Sequence, residues 1–370
     1  MIRRWRCLSL TWDGAYTTDG GVFHSITGTM RRASESLLIF CRKNWFILGL
    51  VGVLLLGWAF SSAGAQMNPG GWTNRIVVSI LFLLTGLTLP SERILRDLAN
   101  PRLHITAQLF IFVVVPLYFL TAAPIFGHLL DGKLVIGIYA LAVLPTSVSS
   151  CVVFTQNSGG NTVGAVFNAS LANMVGVFLS PVLLSLILST SGRALPIEQL
   201  LGTLRSLGLN MLAPIVLGNV VRIWVKPWVE RERKRISVIS SSLILFMVFL
   251  AFARTANDPS FGRYMAAFSG PIVYLAVSHL LLVGLAIGLG LLLKMRREDR
   301  VALIYVAPQK TLALGVPLLS IYFADQELLG IVLLPIVFYH PFQILVAGLL
   351  RSLPFVRAAA AASSGEEPGQ

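Results

Sequence analysis

The chain is poor in charge, and above all in acid. Charged residues make up 12% of its 370 positions, with only 16 Asp and Glu, against 55% hydrophobic residues and a mean hydropathy of +0.78. A water-soluble domain of this length needs far more charge to cover its surface, so the soluble classes are excluded. The three cysteines, Cys7, Cys41 and Cys151, share no metal-like or redox-like spacing, and no disulfide is expected. A nucleophile–base triad, a P-loop and a metal-ligand cluster are all missing, which argues against an enzyme, whether an ATP-driven pump or an intramembrane protease. A continuous basic face is missing too. The net charge of +13 is spread in short clusters between apolar runs, so nucleic acid is not the partner.

What is present is a succession of apolar runs from Asn44 to Leu350 with no soluble-looking interval. A bilayer-spanning helix needs ~20 mainly apolar residues. About ten stretches meet or approach that length, near 44–61, 74–90, 103–126, 133–156, 162–189, 198–223, 237–256, 268–293, 299–323 and 327–350. The expected fold is therefore an all-α polytopic membrane protein whose surroundings are the lipid bilayer.

Basic residues give an independent check on topology. With the N-terminus inside and sides alternating, the cytoplasmic segments hold Arg31, Arg32, Arg42 and Lys43, then Arg93, Arg96 and Arg102, then the cluster from Arg222 to Arg235. Lys294 to Arg300 and the pair Arg351 and Arg357 complete that side, whereas the outer segments hold only Arg75, Lys133, Arg193, Arg254 and Arg263. A wrong helix count would scramble this asymmetry, so both termini are expected in the cytoplasm, in the inner membrane of a bacterium. Residues 1–40 are expected to form a disordered cytoplasmic tail, with Met30 a candidate true start, and 353–370 a second tail. Between them lies one ten-helix domain, 41–352, in two halves, 41–190 and 196–352.

The fourth run reads Leu141-Ala-Val-Leu-Pro145-Thr-Ser147-Val-Ser149-Ser150, and the ninth Ala302-Leu-Ile-Tyr-Val-Ala-Pro308-Gln309-Lys310-Thr311. Each places a proline at mid-span and polar residues directly after it. Proline removes a backbone donor and disrupts the turn ahead of it. Backbone groups freed at membrane depth are tolerated only against protein or a wet cavity. A lone proline kink would be structural, and this chain uses several. Two breaks at matching places in two five-helix halves indicate an inverted repeat, and such paired breaks mark the binding site of a transporter.

Lys310 is the sharpest single feature. A lysine at the bilayer centre costs roughly 2.5–3.5 kcal/mol on insertion scales, and both helix ends are too distant for snorkelling. Three roles are open to it: binding an anionic group, standing in for a bound cation, or exchanging a proton. Acidic residues sit only at or beyond the ends of the spans, whereas neutral oxygens abound in Ser147, Ser149, Ser150, Asn168, Ser170 and Asn173, the ligand type that hard cations take. Gln108 and His340 could approach the same centre, and Gln108 could equally be interhelical glue. His104 and His279 read as interfacial or packing residues.

Leu144-Pro-Thr-Ser-Val-Ser-Ser-Cys-Val-Val-Phe-Thr-Gln-Asn-Ser-Gly-Gly-Asn161 with Ala165-Val-Phe-Asn168, Gln309-Lys310-Thr311-Leu-Ala-Leu-Gly-Val-Pro317 and Tyr339-His-Pro-Phe-Gln343 are the distinctive motifs. Together with His104-Ile-Thr-Ala-Gln108, they resemble the bile acid:sodium symporter superfamily, in its SBF-like branch, over about residues 40–352. The resemblance implies two inverted five-helix repeats arranged as panel and core domains, with broken fourth and ninth helices that cross. It implies sodium beside the crossing, held by Ser150, positions from Asn168 to Asn173, Gln108 and Gln309. Two departures stand out. The bile-acid branch has a glutamate shared between its sodium ions where this chain has Tyr305 nearby, and an asparagine after the glutamine where this chain has Lys310, which can replace one cation.

The expected function is sodium-coupled uptake of a small organic anion by alternating access, without a cofactor. A cation/proton antiporter using Lys310 and a non-transporting regulator of calcium homeostasis are the alternatives. No motif specifies the oligomeric state.

Overall fold

The computed structural model describes residues 45–88, 100–126, 132–190, 208–259, 261–323 and 329–351, with isolated positions at 198, 201–202, 205–206 and 356. The expected tails at 1–40 and 353–370, apart from Val356, and the proposed start at Met30 lie outside the described residues, as do Cys7 and Cys41. Contacts divide the chain after Leu48, and all packing described below lies within Gly49–Gln370.

Among the described residues every regular element is helical. In chain order they are α1 (Trp45–Ala59), α2 (Ser61–Gln66), α3 (Trp72–Thr88), α4 (Pro101–Ile125), α5 (Gly132–Ala142), α6 (Val148–Asn157) and α7 (Thr162–Thr190). There follow α8 (Gly208–Arg231), α9 (Arg233–Ala256), α10 (Phe261–Ala267), α11 (Ser269–Leu292), α12 (Arg297–Val306), α13 (Leu312–Tyr322) and α14 (Leu329–Leu350). Of the described helices, 7 are long and apolar enough to cross a membrane, and α1, α5 and α13 are shorter apolar helices. The outward face of α8 carries Val216, Leu217, Ile223 and Trp224, all exposed, a surface suited to hydrocarbon and not to water. The protein is an integral membrane protein.

The fourth and ninth runs are both interrupted. Pro145 has no N–H to continue the ladder from Leu141, and a residue before proline is biased away from helical geometry, so α5 stops at Ala142. The chain is extended at Ser147 (φ −77, ψ 123) before α6 begins. Pro308 ends α12 likewise, and Thr311 is extended (φ −100, ψ 131) before α13 begins. With 11 residues in α5 and 10 in α6, each half rises about 15 Å, half of a hydrocarbon core of roughly 30 Å. The interruptions therefore fall near mid-depth.

A third irregularity was not foreseen. Within α4, residues Phe110–Val114 form a π-turn in which the Val115 N–H bonds Phe110 O. In that register the next carbonyl, Ile111 O, faces the nitrogen of Pro116, which carries no hydrogen. The turn thus presents one main-chain oxygen without its helical donor.

The sixth run also differs from expectation. It was placed at 198–223, with the basic cluster beyond it in a loop, but α8 continues to Arg231 and only Glu232 separates it from α9. The helix runs on through Pro227, whose missing N–H removes one bond of the ladder without ending it. The long basic stems favour helix and can carry their charges to the interface, and Arg235 Nη1 lies 2.9 Å from Glu232 Oε2 across the turn.

Small residues let the broken segments be enclosed. α7 passes the first break at Gly176, where a Cβ would stand 2.8 Å from Cγ of Pro145. We predict that Gly176→Ala lowers the thermal midpoint of the purified protein, by overpacking on the scale of 1–3 kcal/mol. Gly284→Ala, where a Cβ meets nothing within 4 Å, should leave it nearly unchanged. Equal midpoints for the two variants would contradict this packing.

Candidate functional site

The two breaks touch. The Thr311 N–H donates to Pro145 O at 3.0 Å, one main chain bonding the other across the crossing. The Thr311 hydroxyl accepts from Ala313 N at 3.2 Å and so caps α13. Ser150 Oγ in the first turn of α6 donates to Gln309 Oε1 at 2.6 Å, a second link between the segments. On the side facing α7, Asn173 Nδ2 donates to Thr146 O at 2.8 Å and Ser180 Oγ to Val143 O at 2.7 Å. These bonds satisfy carbonyls that the break at Pro145 deprives of helical donors.

Lys310 lies at the centre and is fully buried. Its ammonium donates to three main-chain oxygens, Leu144 O at 2.7 Å, Ala142 O at 2.9 Å and Ile111 O at 3.3 Å. All three are by-products of irregular backbone: Ala142 closes α5, Leu144 lies in the break, and Ile111 lies in the π-turn. An ammonium has three donors, and here each has an acceptor. Hydrogen bonds to a charged group contribute roughly 1.5–3 kcal/mol each, the scale needed against a desolvation penalty of several kcal/mol. Among the described residues the one buried acidic side chain is Asp299, and it bonds Asn100 and Asn161 instead.

The backbone of Lys310 is held as firmly as its side chain. Gln343, on α14, accepts from Lys310 N through Oε1 at 2.7 Å and donates to Lys310 O through Nε2 at 2.7 Å. That pairing fixes which end of the amide is oxygen. His340 Nδ1 lies 2.9 Å from Gln343 Nε2 and 3.3 Å from Lys310 O, so the imidazole tautomer decides whether it accepts from the amide or donates to the carbonyl. Tyr339 donates to Pro308 O at 2.9 Å, which leaves its oxygen to accept from His279 Nδ1, also at 2.9 Å.

A second polar cluster lies one turn from Ile111 along α4. Gln108 Nε2 donates to Asn168 O at 3.0 Å, and Asn168 Nδ2 donates to His104 Nδ1 at 2.9 Å. Gln108 Oε1 is buried without a hydrogen-bond partner among the described residues, as is Thr146 Oγ1 in the first break. An unmet buried acceptor costs about 1–3 kcal/mol unless a water or an ion completes it.

The structure brings together Pro145, Ser150, Asn173, Pro308, Gln309, Lys310, Thr311 and His340, and puts Gln108 and Asn168 in the neighbouring cluster. Ser147 and Ser170 are buried close in sequence to these, whereas Ser149 is exposed and faces away. His104 and His279 are buried and hydrogen-bonded, in keeping with a packing role. Gln343 escaped the sequence analysis as a site residue, although a glutamine three residues after His340 shares its helical face. The three oxygens around the ammonium have no side-chain signature to find.

The SBF-like CPA transporter family matches residues 44–353. Sodium/bile acid cotransporter 7 of Mus musculus is 31% identical over 334 residues, covering 85% of this chain and 93% of its own. Sodium/bile acid cotransporter 7-B of Xenopus laevis is 30% identical, covering 85% and 92%. An uncharacterized Pseudomonas aeruginosa protein is 29% identical, covering 82% and 91%.

Removing the Gln343 amide tests the geometry. Gln343→Leu should strand the buried N–H and C=O of Lys310, at about 1–3 kcal/mol for each group, and so lower the thermal midpoint by several degrees. A midpoint equal to that of the wild type would show that Gln343 does not hold Lys310.

Proposed function

Because the chain belongs to the SBF-like CPA transporter family, we propose that it is a secondary transporter, driving a small organic anion inward with sodium by alternating access. The observation that carries this reading is the direct bond between the two breaks, Thr311 N to Pro145 O, beside a buried cation and unmet acceptors. Two half-helices that cross at mid-depth present irregular backbone to one locus, the arrangement that transporters use for substrate and ion.

In this account ten membrane passages form two inverted repeats, 41–190 and 196–352. The passages are α1, α3, α4, α5 with α6, α7, α8, α9, α11, α12 with α13, and α14. The first repeat contributes the break at Pro145, the second the break at Pro308. Basic clusters at Arg222–Arg235 and Lys294–Arg300 support termini on the cytoplasmic side. A core that contains both breaks would rock against a panel containing α3 and α8, exposing the crossing to each side in turn.

Sodium suits the donor set. Gln108 Oε1 and Thr146 Oγ1 are buried acceptors with no hydrogen-bond partner among the described residues, and Ser147 and Ser150 supply further neutral oxygens. Such ligands hold a hard monovalent cation without adding charge. The names of the mouse and frog relatives point the same way, to sodium and an amphipathic organic anion.

Reconstituted in proteoliposomes, the protein should accumulate an anion from a panel of bile acids and smaller carboxylates when an inward sodium gradient is imposed. Ser150→Ala should raise the half-saturating sodium concentration by about fivefold, the equivalent of one hydrogen bond of on the order of 1 kcal/mol. Accumulation that is the same in potassium would contradict sodium coupling. Flux driven by a pH gradient alone and lost in Lys310→Met would assign cation/proton exchange instead. No flux under either gradient would favour a non-transporting regulator.

A further inference from the structure

From sequence, Lys310 had three roles open to it, and the geometry separates them. An ammonium that binds an anion needs a free donor facing the substrate path, but here all three hydrogens point at main-chain oxygens of a fully buried pocket. The pocket walls come from two elements of different origin, the π-turn of α4 and the break after α5. Neither wall bears an acidic side chain, so negative potential comes from carbonyl dipoles alone. Rings of such dipoles are what proteins use to replace the hydration shell of a monovalent cation.

We propose that the oxygens of Ile111, Ala142 and Leu144 form a monovalent-cation site that the chain fills with its own tethered ammonium, and that is open to an external cation once that ammonium is removed. The site is distinct from the neutral side-chain oxygens that would hold coupling sodium. It rests on the transporter reading only for its consequence, namely that one cation of the cycle is built into the protein and never dissociates. Three acceptors favour a primary ammonium, whose three hydrogens match them, with sodium as the smaller occupant. A fully alkylated ammonium has no hydrogen to offer and is too wide.

The test is thermal unfolding of purified full-length protein. Lys310→Ala removes three methylenes and the ammonium, a fragment that n-propylammonium reproduces. At constant sodium, which the separate coupling site would also bind, the variant should melt below the wild type and regain stability saturably with n-propylammonium but not with tetramethylammonium. The wild type, whose site is filled, should show no n-propylammonium effect. Lys310→Met keeps most of the aliphatic volume without the charge, and it should also melt below the wild type because the three oxygens lose their donors.

Several results would overturn the proposal: a Lys310→Met midpoint equal to the wild type, equal effects of n-propylammonium and tetramethylammonium on Lys310→Ala, or no saturable n-propylammonium effect on Lys310→Ala. If Lys310→Ala does not fold, the Lys310→Met midpoint decides. The two readings can also fail separately. A cation response in Lys310→Ala, with no uptake by the wild type, would leave the site standing and remove the transport reading. Wild-type uptake with no cation response in the variant would do the reverse.

Discussion

Inside a bilayer a helix has no carbonyl to spare, because each is committed to the N–H one turn on and no water replaces a lost partner. This chain releases carbonyls at mid-depth in two independent ways. Pro145 ends a half-helix and Pro116 empties the register of a π-turn, so Ala142, Leu144 and Ile111 are left facing one another without their helical donors. A single side chain answers all three. Among the described residues no carboxylate meets the Lys310 ammonium, because the irregular backbone around it already carries the negative ends of the dipoles it needs. Each irregularity would be costly alone, and together they satisfy one another.

From this follows the mechanical unity of the centre. Lys310 sits in the second break, but its ammonium holds the first, while Thr311 bonds Pro145 O and Ser150 bonds Gln309. Gln343 then fastens the Lys310 backbone to α14, and Tyr339 fastens Pro308 to the same helix. Asn173 and Ser180 tie the first break to α7. The crossing is therefore stiff against local change. In the proposed transport cycle the crossing moves as a body, by rocking of one domain against another and not by the opening of a single half-helix.

How much of this the sequence disclosed depends on whether side chains or main chain did the work. The breaks were legible because proline followed by serine, threonine or glutamine stands out in an apolar run. Lys310 was legible because charge is so scarce there. Gln108, Asn168, Gln309 and His340 could be picked out as polar residues in apolar helices, although their division between two clusters could not. The oxygens around the ammonium were hidden, since a carbonyl looks alike at every residue and its availability depends on helical register. The π-turn before Pro116 needs tertiary contacts to be favoured over a simple kink. The length of α8 was misjudged because Arg222 to Arg231 read as loop by charge, whereas a helix can carry such residues to the interface. Ser149 was grouped with its neighbours by sequence, but a helix turns it away from them.

The central claim is that the two breaks form one site reached from both sides of the membrane in turn. Ser150→Cys, placed in a background without the native cysteines, puts a near-isosteric thiol on that site. Membrane-impermeant thiol reagents should label it from the cytoplasmic side under some conditions and from the opposite side under others, with sodium shifting the balance. Labelling confined to one side under every condition, or absent from both, would contradict alternating access at the crossing.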